Sequence, residues 1–71
     1  GEFEKALLYL EKAMELESTD PIVNDHLGDV LWMLGRKREA QFQWKKSLSF
    51  KPEPVDQKNT EDKLLYGLKL R

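Results

Sequence analysis

Residues 21–54 read PIVNDHLGDVLWMLGRKREAQFQWKKSLSFKPEP, and two helices with their boundaries are legible in that stretch. Asp20, just ahead of it, can accept hydrogen bonds from the free amides of a first turn. Pro21 suits the first helical position, where no amide donor is needed. Val23, Leu27, Val30, Leu31 and Leu34 then recur at the three- and four-residue spacing of one helix face. Gly35 can take the left-handed conformation that ends such a helix. A second helix follows, with Ala40, Trp44, Ser47 and Leu48 on its inner face. Pro52 and Pro54 break it, because proline cannot continue the backbone ladder and disfavours helix in the residue before it.

The same logic extends outward in both directions. Upstream, Phe3, Ala6, Leu7, Leu10, Ala13 and Met14 recur at helical spacing until Ser18-Thr19-Asp20-Pro21 interrupts them. Downstream, Val55, Leu64, Leu65 and Leu68 suggest a fourth helix. Its start is open between Pro54 and Asn59-Thr60, and the earlier start is favoured, although Gln57 to Asp62 shows almost no apolar period. No alternating apolar pattern and no Asn-Gly or Asp-Gly turn competes. The expected fold is all-α, with about four helices.

Displacing the chain by 34 residues lays the first helix on the third. Gly1 meets Gly35, Ala6 meets Ala40 and Lys12 meets Lys46. Leu10 meets Trp44, Ala13 meets Ser47 and Met14 meets Leu48, so small residues fall on small ones and large apolar residues on large. Two helices per 34-residue unit is the tetratricopeptide spacing. Residues 21–54 resemble one complete tetratricopeptide repeat. Leu27-Gly28 looks like the family's Leu-Gly pair, and Leu31 stands where tyrosine is usual. Ala40, Trp44, Ser47 and Pro52 fall at the spacing of its Ala, Phe, Ala and Pro. Asn24 departs from the pattern, standing where a large apolar residue is preferred, and is expected to weaken packing onto the preceding helix.

By the same resemblance, residues 1–20 look like the second helix of a partial repeat, and residues 55–71 like the polar-faced capping helix of such an array. The implied architecture is a fragment of an α-solenoid built from antiparallel helix hairpins and belonging to a longer array. Family members bind partner segments in a groove lined by the first helix of each repeat. That analogy assigns Ile22, Asp25, Asp29, Trp32 and Met33 to partner binding. Trp32 has two readings: packing against the capping helix or a neighbouring repeat, or anchoring a partner, since tryptophan is enriched at binding hot spots. An acidic groove does not fit capture of a C-terminal carboxylate; a basic or apolar segment is expected. Uncovered apolar residues on the first helix make self-association, as a homodimer, the alternative.

Composition narrows the remaining classes. Seventy-one residues suffice for one small domain, of a size that buries only about 60% of the surface exposed by its unfolded chain. No cysteine is present for a disulfide or a thiolate metal site. The longest apolar run, Ala6 to Leu10, is far short of the roughly 20 residues that span a bilayer. No membrane association is expected.

Net charge is −1, but residues 2–17 balance to −3 and residues 36–51 to +5, a pattern that favours packing of the two segments side by side. Arg36, Lys37, Arg38, Lys45 and Lys46 around Phe42 and Trp44 superficially suggest a nucleic-acid surface. Trp44 is better read as core, with the bases as a solvated face. His26 is the single histidine and has no nucleophile motif near it. Asp25 and Asp29 with His26 lack a fourth metal ligand, and no glycine-rich phosphate loop exists. The chain is therefore expected to need no cofactor and to bind protein or peptide without catalysing a reaction.

Overall fold

A computed structural model describes residues 1–69 as four helices with no strand among them. They are α1 (Glu2–Leu16), α2 (Pro21–Met33), α3 (Lys37–Ser49) and α4 (Pro54–Tyr66). The later boundaries follow local chemistry. The Asp20 carboxylate accepts from the amides of Ile22 at 2.8 Å and Val23 at 3.4 Å, and Pro21 occupies the first turn of α2. At the other end, Gly35 has φ +82°. Its amide donates to the Trp32 carbonyl at 3.0 Å and the Arg36 amide to the Leu31 carbonyl at 2.9 Å, the paired bonds of a Schellman cap. The fourth helix takes the earlier start, with Pro54 in its first turn.

Short connections return each helix against the one before. The α2–α3 pair makes the most extensive packing, while α1 flanks α2 and α4 flanks α3. The molecule measures 31 × 30 × 20 Å, thin enough that few side chains can be enclosed. Leu27, Leu31, Ala40 and Trp44 form the buried centre, with Leu7, Leu10, Met14, Trp32, Leu64 and Leu68 packed around it. Trp44 has no exposed surface. It lies so close to Gly28 that a Cβ there would fall on the indole Cδ1 and Nε1. Small Ser47 is also enclosed, and its hydroxyl donates to the Pro21 carbonyl at 2.6 Å, tying the end of α3 to the start of α2.

Several expectations are corrected. Val55 and Leu65 are exposed, and the one residue α4 buries fully is Thr60. Asn24, expected to weaken packing onto the preceding helix, is fully enclosed: its side-chain N–H groups donate to the carbonyls of Ser18 at 3.2 Å and Asp20 at 2.8 Å, while its Oδ1 is buried with no partner among the described residues. An apolar residue would leave the Ser18 carbonyl without this donor, whereas the Asp20 carbonyl also accepts from the Asn24 backbone amide at 3.1 Å. The opposite charges of α1 and α3 make no ion pair with each other among the described residues. The ion pairs that join separate helices instead link α2 to α4. No described helix is long and apolar enough to cross a membrane.

Candidate functional site

Ile22, Asp25, Asp29, Trp32 and Met33 run along α2, but they do not share one open groove. Ile22 is half exposed and borders a small cleft with Asp25, His26, Pro52 and Asp56. Met33, at the other end, lines an apolar pocket of about 260 Å³. Between these ends α4 lies over the aspartates.

The covering contacts are specific. Thr60, buried on α4, donates from Oγ1 to Asp25 Oδ1 at 2.5 Å. One turn later Lys63 donates from Nζ to Asp25 Oδ2 at 2.9 Å and to Asp29 Oδ2 at 3.0 Å, with Asp29 Oδ1 also 2.9 Å away. The Trp44 indole N–H reaches the same group from below, donating to Asp29 Oδ1 at 3.1 Å and to the Asp25 carbonyl at 3.2 Å. Two carboxylates therefore share one ammonium, one hydroxyl and one indole, and the cluster retains a formal charge of −1 from two aspartates and one lysine.

The electrostatics follow from that count. Burial raises the Asp29 carboxyl above its ordinary pKa of 3.8, and the neighbouring Asp25 charge adds to the shift; Lys63 and the Trp44 N–H pull it partly back. Burial also opposes the charge on Lys63, but its hydrogen bonds to Asp29 and Asp25 and their negative charges outweigh this, so its pKa lies above 10.5. Both groups shift upward because Lys63 has two carboxylates for one ammonium, whereas Asp29 has only a share of that ammonium and a like charge beside it.

Trp32 is partly buried. Its ring lies 5.5 Å from that of Trp44, tilted by 31°, and Lys37 Nζ sits 4.9 Å from its centroid. Gly67, at φ +76° beyond the end of α4, brings its backbone against the outer edge of the same indole; a Cβ there would stand 2.5 Å from Cζ2. Only glycine allows both that conformation and that approach. His26 is exposed, and Trp44 is enclosed, which leaves Phe42 as the aromatic on the outer basic face of α3.

Thr60, Lys63 and Gly67 were not singled out by sequence reasoning. A signal for Lys63 did exist: Asp25 and Asp29 lie in a segment with no base of its own, so a half-buried acid pair there requires a cation from another element. Nothing in the sequence distinguishes Lys63 from Lys58, which instead lies 3.9 Å from Asp62 on the outer side of α4.

The apolar pocket beside Met33 is walled by Phe3 from α1, Val30 and Met33 from α2 and Leu68 beyond α4, with Asp29 at its edge. Such a recess can receive an apolar side chain; Asp29 borders it with apolar surface, its carboxylate being bound by Lys63 and Trp44. Set against known proteins, the chain matches no family model, no curated protein and no solved structure.

Proposed function

We propose that this chain is a non-catalytic protein-interaction module, the end of a tetratricopeptide-type helical array, which holds a partner segment against the free parts of α2. The observation carrying the reading is the apolar pocket formed by Phe3, Val30, Met33 and Leu68 with Asp29 at its rim. Its chemistry suits an apolar side chain flanked by a basic one, since the Asp25–Asp29–Lys63 cluster retains a negative charge. The repeat resemblance adds support: Leu27, Gly28, Leu31, Ala40, Trp44, Ser47 and Pro52, the positions that carry it, are all buried. Domain boundaries at residues 20/21 and 54/55 belong to the same reading. Ile22 and Met33 are then the contacts open to a partner, while Asp25, Asp29 and Trp32 shape the site from beneath α4.

The test is selection of short peptides from a random library on the folded chain, followed by anisotropy titration. Peptides pairing an apolar residue with Lys or Arg should be enriched, and Met33→Gln should weaken them about tenfold, the loss expected of one hot-spot side chain. Helicity should be unchanged. Failure to select any peptide, or equal binding by the variant, would remove the pocket from consideration.

A second reading, self-association through α1, rests on one comparison. Ala40, Trp44 and Ser47 are enclosed on α3, whereas Ala6, Leu10 and Ala13, their counterparts 34 positions earlier, are only partly covered on α1.

A further inference from the structure

We propose that α4 exchanges between two copies of this chain, so that its seat on α2 and α3 is also an interface between protomers. Two independent observations meet here, one in the seat and one in the hinge.

The seat is built for one occupant. α4 presents Thr60 and, one turn on, Lys63 to Asp25 and Asp29; Leu64 and Leu68 pack on the core, and Gly67 lies against Trp32. A hydroxyl, an ammonium, two leucines and a side-chain-free residue must arrive in one register. The segment that supplies them is already present in every copy of the chain. A second copy therefore needs no new surface: the same atoms make the same bonds in trans as in cis.

The hinge favours release. α3 ends at Ser49, and the chain reaches α4 through Phe50-Lys51-Pro52-Glu53. Lys51 has φ +55°, the one non-glycine residue with a positive φ among those described. Left-handed backbone brings an L residue's Cβ too close to the carbonyl that follows. Lys51 also precedes Pro52, whose ring pushes the residue before it toward extended backbone. The closed connection thus opposes two local preferences of the same residue. Rotation of Lys51 into the extended region satisfies both and swings Pro52 and α4 away from their own α3. Pro52, itself buried, travels with α4 and occupies the partner's cleft beside Ile22 and Ser47. Short strained hinges are a recognised route to exchanged elements. Closed monomer and exchanged dimer then differ chiefly in the Lys51 backbone and in concentration.

The experiment is light scattering of the full chain across a concentration series, with substitutions at Lys51. Lys51→Gly makes the left-handed turn unstrained and should weaken the dimer roughly a hundredfold, since the strain at each of two hinges is worth about a tenfold change in equilibrium. Lys51→Pro forbids positive φ, at the cost of the amide that donates to the Leu48 carbonyl at 3.1 Å, and should make the dimer predominate. A dimer indifferent to both changes, or a folded Lys51→Pro chain that stays monomeric at every concentration, overturns the proposal.

A charge-reversed pair gives a readout that does not depend on the proline variant folding. Lys63→Glu spoils the occupant, and Asp25→Lys with Asp29→Lys spoils the seat. Mixed in equal amounts, these two chains match in every seat only if α4 is exchanged. A mixed dimer more stable to heat than either chain alone supports exchange; two unmixed populations, or no gain in stability, overturn it.

Discussion

At Gly28 the backbone of α2 lies directly on the Trp44 indole, and nothing larger than hydrogen fits between them. Interiors are packed too densely to absorb a methyl group without movement, and the ring it would strike is enclosed on every side. Gly28→Ala should therefore destabilise the fold by about 1–3 kcal/mol despite the better helix propensity of alanine, as measured by urea unfolding. An unchanged midpoint would mean that the indole shifts freely, and Trp44 would then not be the fixed centre of the core. The same residue shows how a single position serves several purposes. The Trp44 ring fills the gap left by Gly28, while its N–H satisfies Asp29 beneath α4. Asn24 is comparable on a smaller scale. Its bonds to the Ser18 and Asp20 carbonyls hold the α1–α2 turn in a place where a larger apolar side chain would add area but leave the Ser18 acceptor without that donor.

Between elements, α4 stays in place through polar contacts more than through a continuous apolar stripe. Lys63→Met should cost about 1–3 kcal/mol at neutral pH, because it leaves two half-buried carboxylates without their cation. The pH dependence has a definite sign. The Lys63 pKa is raised on folding, so its contribution is fully present below 10.5 and disappears as pH climbs through the folded-state value. Denaturation curves of the parent should therefore lose stability above pH 10.5, and the Met variant should lack that component. Asp29 acts at the acid end. Its raised pKa means that the folded state binds more protons than the unfolded chain just above pH 3.8, so the Asp29 contribution to stability falls as pH rises through that window. A Met variant that matches the parent at neutral pH would show the cluster to be energetically idle.

On the scale of the whole molecule, the exposed side of α1 is the largest departure from a self-contained fold. The helix buries no residue completely, and Leu8, Tyr9 and Leu16 are 66%, 76% and 86% exposed. If this face drives association, Tyr9→Lys with Leu16→Lys should return the scattering mass to that of a monomer while far-ultraviolet circular dichroism stays unchanged. Exchange of α4 would leave that double variant dimeric and respond instead to Lys51, so the two routes separate cleanly. A double variant that remains a dimer would remove α1 as the contact.

The helices themselves were legible in the sequence because their causes are local. Apolar period, an Asp-Pro start, a glycine stop and paired prolines act within a few residues of where they stand. The centre at Leu27, Leu31, Ala40 and Trp44 could be read for a related reason: it lies on the faces that those periods define. The α4 contacts were not legible. Thr60 is polar, Lys63 is one of several lysines, and Val55 and Leu65 would be better core residues by type than by position. The partners of Thr60 and Lys63 lie 34 to 38 positions away. No local pattern encodes such a pairing; it arises only when α2 and α3 have packed and left a partly desolvated acid pair that α4 must neutralise. The sequence by itself determined the four helices and the core face of α2 and α3. Tertiary structure alone decided that α4 covers the middle of the α2 face and leaves the Met33 pocket open, because ion pairing and burial depend on distances that exist only once the chain has folded.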